Sequence, residues 1–128
     1  MESKEDVWEF EKLEPQLHSF LAEISELSKK RPNDGLNKFK LKFINSTLES
    51  LNRLIGEHRP FPDFDTFNED DLPSNSDVVV ILAQYATATY NFRRDHTVRE
   101  SINWYWLVRG KRSDLNTERP EHYKYEPK

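Results

Sequence analysis

The chain of 128 residues contains no cysteine, one methionine and only three glycines. The lack of cysteine removes disulfides, thiolate nucleophiles and every cysteine-ligated zinc or iron–sulfur site in one step. Gly35, Gly56 and Gly110, at their positions, permit no glycine-rich phosphate loop, dinucleotide fingerprint or nucleophile elbow. No stretch approaches the ~18 apolar residues of a membrane span, and the acidic start, MESKEDVWEF, lacks the apolar core of a secretory signal. A soluble, cytoplasmic protein is expected. Positive charge is also short: 19 Lys and Arg against 23 Asp and Glu leave a net −4. Nucleic-acid or membrane binding would therefore have to be local. Apolar residues make up 35% of the chain and charged ones 33%, against roughly 45–50% and about 25% in ordinary domains. That is still enough for one core, so a single helical domain over residues 1–110 is expected, followed by a charged tail, 111–128.

What is present reads mostly as helix. Pro15 suits a first helical turn, and Leu17, Phe20, Leu21, Ile24 and Leu27 then share one stripe opposite Glu23 and Glu26. This predicts a helix of about 15 residues stopped at Arg31-Pro32. Val7, Phe10 and Leu13 extend the spacing backwards as a short helix or a kinked continuation. Asn33-Asp34 offers a cap for a second helix. There Leu36, Phe39, Phe43, Ile44, Leu48, Leu51, Leu54 and Ile55 form a broad apolar side against Lys38, Lys42, Asn45, Glu49, Asn52 and Arg53, and Gly56 is placed to end it.

Residues 57–73 make one long loop, in which Phe61, Phe64 and Phe67 interleave with acids as aromatic anchors. Ser74-Asn75-Ser76-Asp77 caps a third helix. Thr97-Val98-Arg99-Glu100 has the full capping-box pattern and opens a fourth, running to about Arg109 with Gly110 as its stop. The expected fold is all-α: a small antiparallel bundle of about four helices, with one long aromatic and acidic loop and a loose C-terminal tail. A mixed fold, with residues 104–108 as a strand, is the alternative.

Few constellations carry chemistry. Asp63, Asp65, Glu69, Asp70 and Asp71 supply oxygens for a hard cation, but Phe67 and Asn68 stand where a calcium loop needs a ligand and a glycine. A solvated acidic loop is expected there. His18, His96 and His122 are scattered without the i, i+4 spacing of a helical zinc site, so no metal and no cofactor is expected. Arg53 and His58 stand five apart and resemble the Arg-x4-His motif of metal-independent ribonucleases of the HEPN class. The resemblance implies an arginine that stabilises phosphate charge and a histidine that acts as acid or base. It covers two residues, and Leu54 after the arginine and the helix-breaking Gly56 depart from the pattern.

The densest stretch, RRDHTVRESINWYW at 93–106, admits three readings. As the central helix of the bundle, it would bury Val98, Ile102, Tyr105 and Trp106 on one side. As a protein-binding surface, it would present Arg93, Arg94, Arg99, Trp104 and Arg109, since Trp and Arg dominate the energetic centres of interfaces. As a nucleic-acid surface, the arginines of segment 93–112 would pair with phosphates while an aromatic stacks on a base. A non-enzymatic protein that binds another macromolecule, as an adaptor, inhibitor or immunity-type protein, is the expected function, with a protein partner, and a homodimer as a further expectation. Nucleic-acid binding and an Arg53/His58 ribonuclease are the alternatives. On the core reading, reversing the charges of Arg93 and Arg94 should leave stability nearly untouched.

Overall fold

The computed structural model describes residues 1–120; His122 and the end of the expected tail lie outside the described residues. It is an α+β fold, with helices α1 (Lys4–Lys30), α2 (Lys38–Ile55) and α3 (Asn75–Asp95). A sheet of β1 (Thr97–Glu100), β2 (Asn103–Val108) and β3 (Lys111–Thr117) follows. The strands are antiparallel in the order β1-β2-β3.

The three helices follow from their caps and stripes. Ser3 accepts from the Asp6 amide at the start of α1, which continues unbroken through Pro15 and ends at Arg31. The expected stop is met, and the expected short helix is the first half of one long helix. At α2 the cap is Asn37, whose side chain accepts from the amides of Phe39 and Lys40, rather than Asn33-Asp34. The intervening chain is tied down instead: Leu36 is buried and donates its amide to the Pro73 carbonyl. Gly56 closes α2 with φ +51°, followed by a 3₁₀ turn, Gly56–His58. Ser74 caps α3 by accepting from the Asp77 amide, as the spacing predicts.

The fourth helix is overturned, and so is the loose tail over residues 111–117. Thr97, read as a helix cap, sends its hydroxyl back to the Arg93 carbonyl at 2.7 Å and finishes α3 instead. Two tight hairpins then follow. The first turns at Ser101-Ile102, with Ser101 at φ +59°; the second turns at Arg109-Gly110, with φ values of +53° and +76°. Positive φ at both central residues is what a type I′ hairpin turn demands, so Gly110 ends a strand rather than a helix. Lys111–Thr117 pairs with β2 as the third strand. An all-α bundle fails here because alternate residues face opposite ways on a strand. Trp106 is fully buried while its supposed helix-mates Val98 and Ile102 are 36% and 81% exposed.

The core lies where α1 touches both other helices and the inner face of β2 closes one end. Phe10 of α1 meets Phe92 of α3 and Trp106 of β2, each with ring centroids 5.2 Å apart. The long loop is ordered by polar anchors as well as aromatic ones. Asn45, on the supposedly solvated side of α2, is buried and holds the Phe67 backbone from both ends, donating to its carbonyl at 2.8 Å and accepting from its amide at 2.9 Å. Asn52 donates to the Asp65 carbonyl. Phe64 and Phe67 pack against the core.

Candidate functional site

The expected partner-binding set is not gathered into one surface. Arg93 lies in the last turn of α3 and points inward, 6% exposed. Its guanidinium donates both arms to Glu11, at 3.1 and 3.0 Å, and one to Glu14 at 2.8 Å, and also reaches the Thr117 hydroxyl. The Trp106 indole N–H donates to the same Glu11 carboxylate at 2.7 Å, and the guanidinium sits over the Trp106 ring at 5.1 Å. Although burial opposes the charge of Glu11, hydrogen bonds from Arg93 and Trp106 hold its carboxyl below the usual range. The network joins α1, α3, β2 and β3, and Pro15 and Asn116 close a cavity beside it.

The other members are scattered. Arg94 is exposed beside Asp95. Arg99 lies on β1 and donates to the Ser101 carbonyl, and Trp104, half-buried on β2, stands opposite it in the ladder. Arg109 sits in a hairpin turn and donates to the Glu2 carbonyl. Arg112, on β3, is paired with Glu100 at 2.7 Å and covers Tyr105. Much of the positive charge of segment 93–112 is thus matched inside the fold.

Arg53 and His58 both line a cavity of about 330 Å³ between the N-terminus of α1 and the C-terminal ends of α2 and α3. His58 is joined there by two residues the sequence did not connect with it. Its Nε2 lies 3.0 Å from the Asp95 carboxylate, and its ring stands 5.3 Å from that of His96. The hydrogen bond from His58 holds the Asp95 carboxyl below its usual value, so Asp95 accepts and Nε2 carries the proton. His96 donates Nδ1–H to the Phe92 carbonyl at 2.9 Å, and burial lowers its pKa. Arg53, however, is ion-paired with Glu9 at 2.6 Å. Glu2, Asp6 and Glu57 also line the cavity, and their charge opposes an incoming phosphate. The arrangement suits a joint that fastens the 3₁₀ turn to α3. His18 stacks on Tyr90. Among the described residues, no three His, Asp or Glu side chains converge to hold a metal ion, and no helix is long and apolar enough to cross a membrane. In the acidic loop, Asp65 pairs with Arg59 and Asp70 with Lys38.

The described residues also form an apolar groove. A groove of about 540 Å³ runs between α1 and α2, with Phe20 and Ile24 on one wall and Phe39, Phe43 and Ile44 on the other. Phe39 is 70% exposed and Phe43 50% exposed, and their rings meet edge to face at 5.0 Å. The sequence places both on the broad apolar side of α2 with Leu48 and Leu51. The signal that could have found them is the interleaving in KFKLKF: Lys38, Lys40 and Lys42 alternate with Phe39, Leu41 and Phe43. That alternation flanks each phenylalanine with lysines, which are almost never fully buried, and so marks the edge of the apolar side rather than its centre. No known protein family, curated protein or solved structure matches this chain.

Proposed function

We propose that the protein is a non-enzymatic binding module that engages another protein through the groove between α1 and α2. The observation that carries this reading is the exposed Phe39–Phe43 pair on the lip of a concave, mostly apolar groove. Leaving two large aromatic rings in water forgoes burial worth roughly 1.5–3 kcal/mol each, and aromatic anchors beside a pocket are the usual energetic centre of an interface. An adaptor, an inhibitor or an immunity-type protein would each work in this way.

The test compares the intact chain with the double variant Phe39→Ala, Phe43→Ala as baits for binding proteins from the cells that produce it. Both side chains are exposed, so the variant should keep its helical circular dichroism and its melting temperature within a few degrees. A partner held through the groove should bind the variant about 30-fold more weakly, the ~2 kcal/mol of an interface hot spot. Equal recovery of the same proteins by both baits refutes the reading.

A further inference from the structure

We infer that the segment docking in this groove is an amphipathic helix with acidic flanks, an inference that rests on the binding reading above. The first ground is charge. The chain as a whole carries −4, yet residues 36–48 hold Lys38, Lys40 and Lys42 and no acid at all. These lysines crowd the N-terminal turn of α2, which has no acidic residue to offset them. Lys40 lies in the groove lining opposite Glu23 of α1, and helical geometry places Lys42 beside Phe39 on the outward side, so the excess of positive charge is on the α2 side of the groove. Lys40 reaches Glu23 at 2.8 Å and Lys38 reaches Asp70 at 3.5 Å, the second pair largely exposed and the first about half exposed. Such surface pairs are weak and are readily exchanged for a partner's carboxylates.

The second ground is shape. The groove runs between two helical ridges, one carrying Phe20 and Ile24, the other Phe39, Phe43 and Thr47. The span from Phe39 to Thr47 is about 12 Å at 1.5 Å per residue, or roughly two turns. A docked helix would fill that length with apolar residues at i, i+3 or i+4, and i+7, the helix-in-groove mode of recognition. Its flanking positions would face the lysines.

Two other occupants fit less well. A second copy placed about a two-fold axis on the phenylalanine ridge would set Lys38, Lys40 and Lys42 against their own counterparts. A lipid surface is met by a flat or convex amphipathic face rather than a concave one.

The experiment is selection of a displayed library of helical peptides of about 15 residues on the intact protein, with counter-selection on Phe39→Ala, Phe43→Ala. Recovered peptides should carry the apolar spacing and a clear excess of Asp and Glu over Lys and Arg. A synthetic copy of the strongest should bind about tenfold more weakly on going from about 0.05 to about 0.5 M salt. It should lose at least about tenfold with Lys38→Glu, Lys40→Glu, Lys42→Glu, whose circular dichroism should be unchanged. Groove-dependent peptides with no acidic excess, or indifferent to the triple reversal, overturn the acidic helix while the binding reading stands. Failure to recover any groove-dependent peptide overturns this inference. So does a loss of binding to phosphatidylglycerol vesicles in the Phe39 and Phe43 variant, or a loss of self-association seen by light scattering. Each of those two outcomes assigns the face to another occupant.

Discussion

Replacing Arg93 by alanine should cost the fold more than any other single charge deletion in the described residues. The side chain is 7% exposed and is shared between Glu11 and Glu14, themselves 38% and 12% exposed. Removing it takes away the partner of Glu14, one of whose oxygens already has none, and leaves Glu11 held by the Trp106 indole and the Thr117 hydroxyl alone. Breaking a buried ion pair by deleting one member typically costs about 3–5 kcal/mol, because the charge left behind is uncompensated. The packing of the guanidinium on Phe10 and Trp106 goes with it. For a domain of this size, that is a fall in Tm of very roughly 10–20 °C. The assay is urea unfolding followed by tryptophan fluorescence, with Arg94→Ala as a control expected to stay within about 0.5 kcal/mol. A second variant separates charge from contact. Arg93→Met combined with Glu11→Gln and Glu14→Gln removes every charge of the network at near-constant volume, and should recover more than half of the loss. A loss below about 1 kcal/mol for Arg93→Ala, or no recovery in the triple variant, would refute the view that a compensated buried charge holds the sheet to the helices. The result expected is the opposite of the near-neutral effect that the sequence alone suggests.

Two further outcomes are expected. His96 has a folded-state pKa lowered below 6.5 by burial, so the unfolded chain binds its proton first as pH falls. Stability should therefore be full above about pH 6.5 and decline below it, with a second decline below about pH 4.5 as Glu11, whose pKa is lowered in the fold, takes up its proton. Urea midpoints measured across pH 4–8 check this, and a profile flat between pH 7 and the lowered His96 value counts against the buried position of that ring. Asn45→Ala should cost about 1–3 kcal/mol, since it leaves both polar groups of Phe67 without their partner. Amide exchange at Phe67 should quicken with it, whereas unchanged protection would show that the loop is held by its aromatics alone.

The helical part of the fold is legible because its signals are local. Ser74 caps α3, Gly56 ends α2 and Arg31-Pro32 ends α1, and each depends on residues within one turn of the boundary. The sheet is misread because two local signals compete there. Thr97-Val98-Arg99-Glu100 satisfies a capping box, and only the neighbouring end of α3, where the Arg93 carbonyl awaits a donor, decides that Thr97 closes a helix rather than opening one. The contrary signal was also local. Trp104–Val108 in one-letter form, WYWLV, is aromatic and β-branched, and a two-residue Arg-Gly turn leads into an alternating Lys111–Thr117, which together describe a hairpin. A short apolar run fits a buried helix and a strand equally well, and the turn chemistry was the arbiter.

The fate of the arginines shows why function was harder to read than fold. Arg93 and Arg94 are adjacent and chemically identical, yet on a helix they point about 100° apart. One is sealed against Glu11 and Glu14, at a sequence distance of about 80 residues, and the other lies in solvent beside Asp95. A charged residue's role is set by what the chain brings to it from far away, and no window of sequence around it contains that information. Phe39 and Phe43 illustrate the reverse case. They carry the apolar spacing of a core, and they are exposed because the inner positions of α2 are already filled by Leu41, Ile44, Leu48 and Leu51, all fully buried. With the inner positions of α2 filled by those four, the two phenylalanines add little to its packing, and they stand exposed beside three lysines as the proposed apolar, acidic partner segment requires.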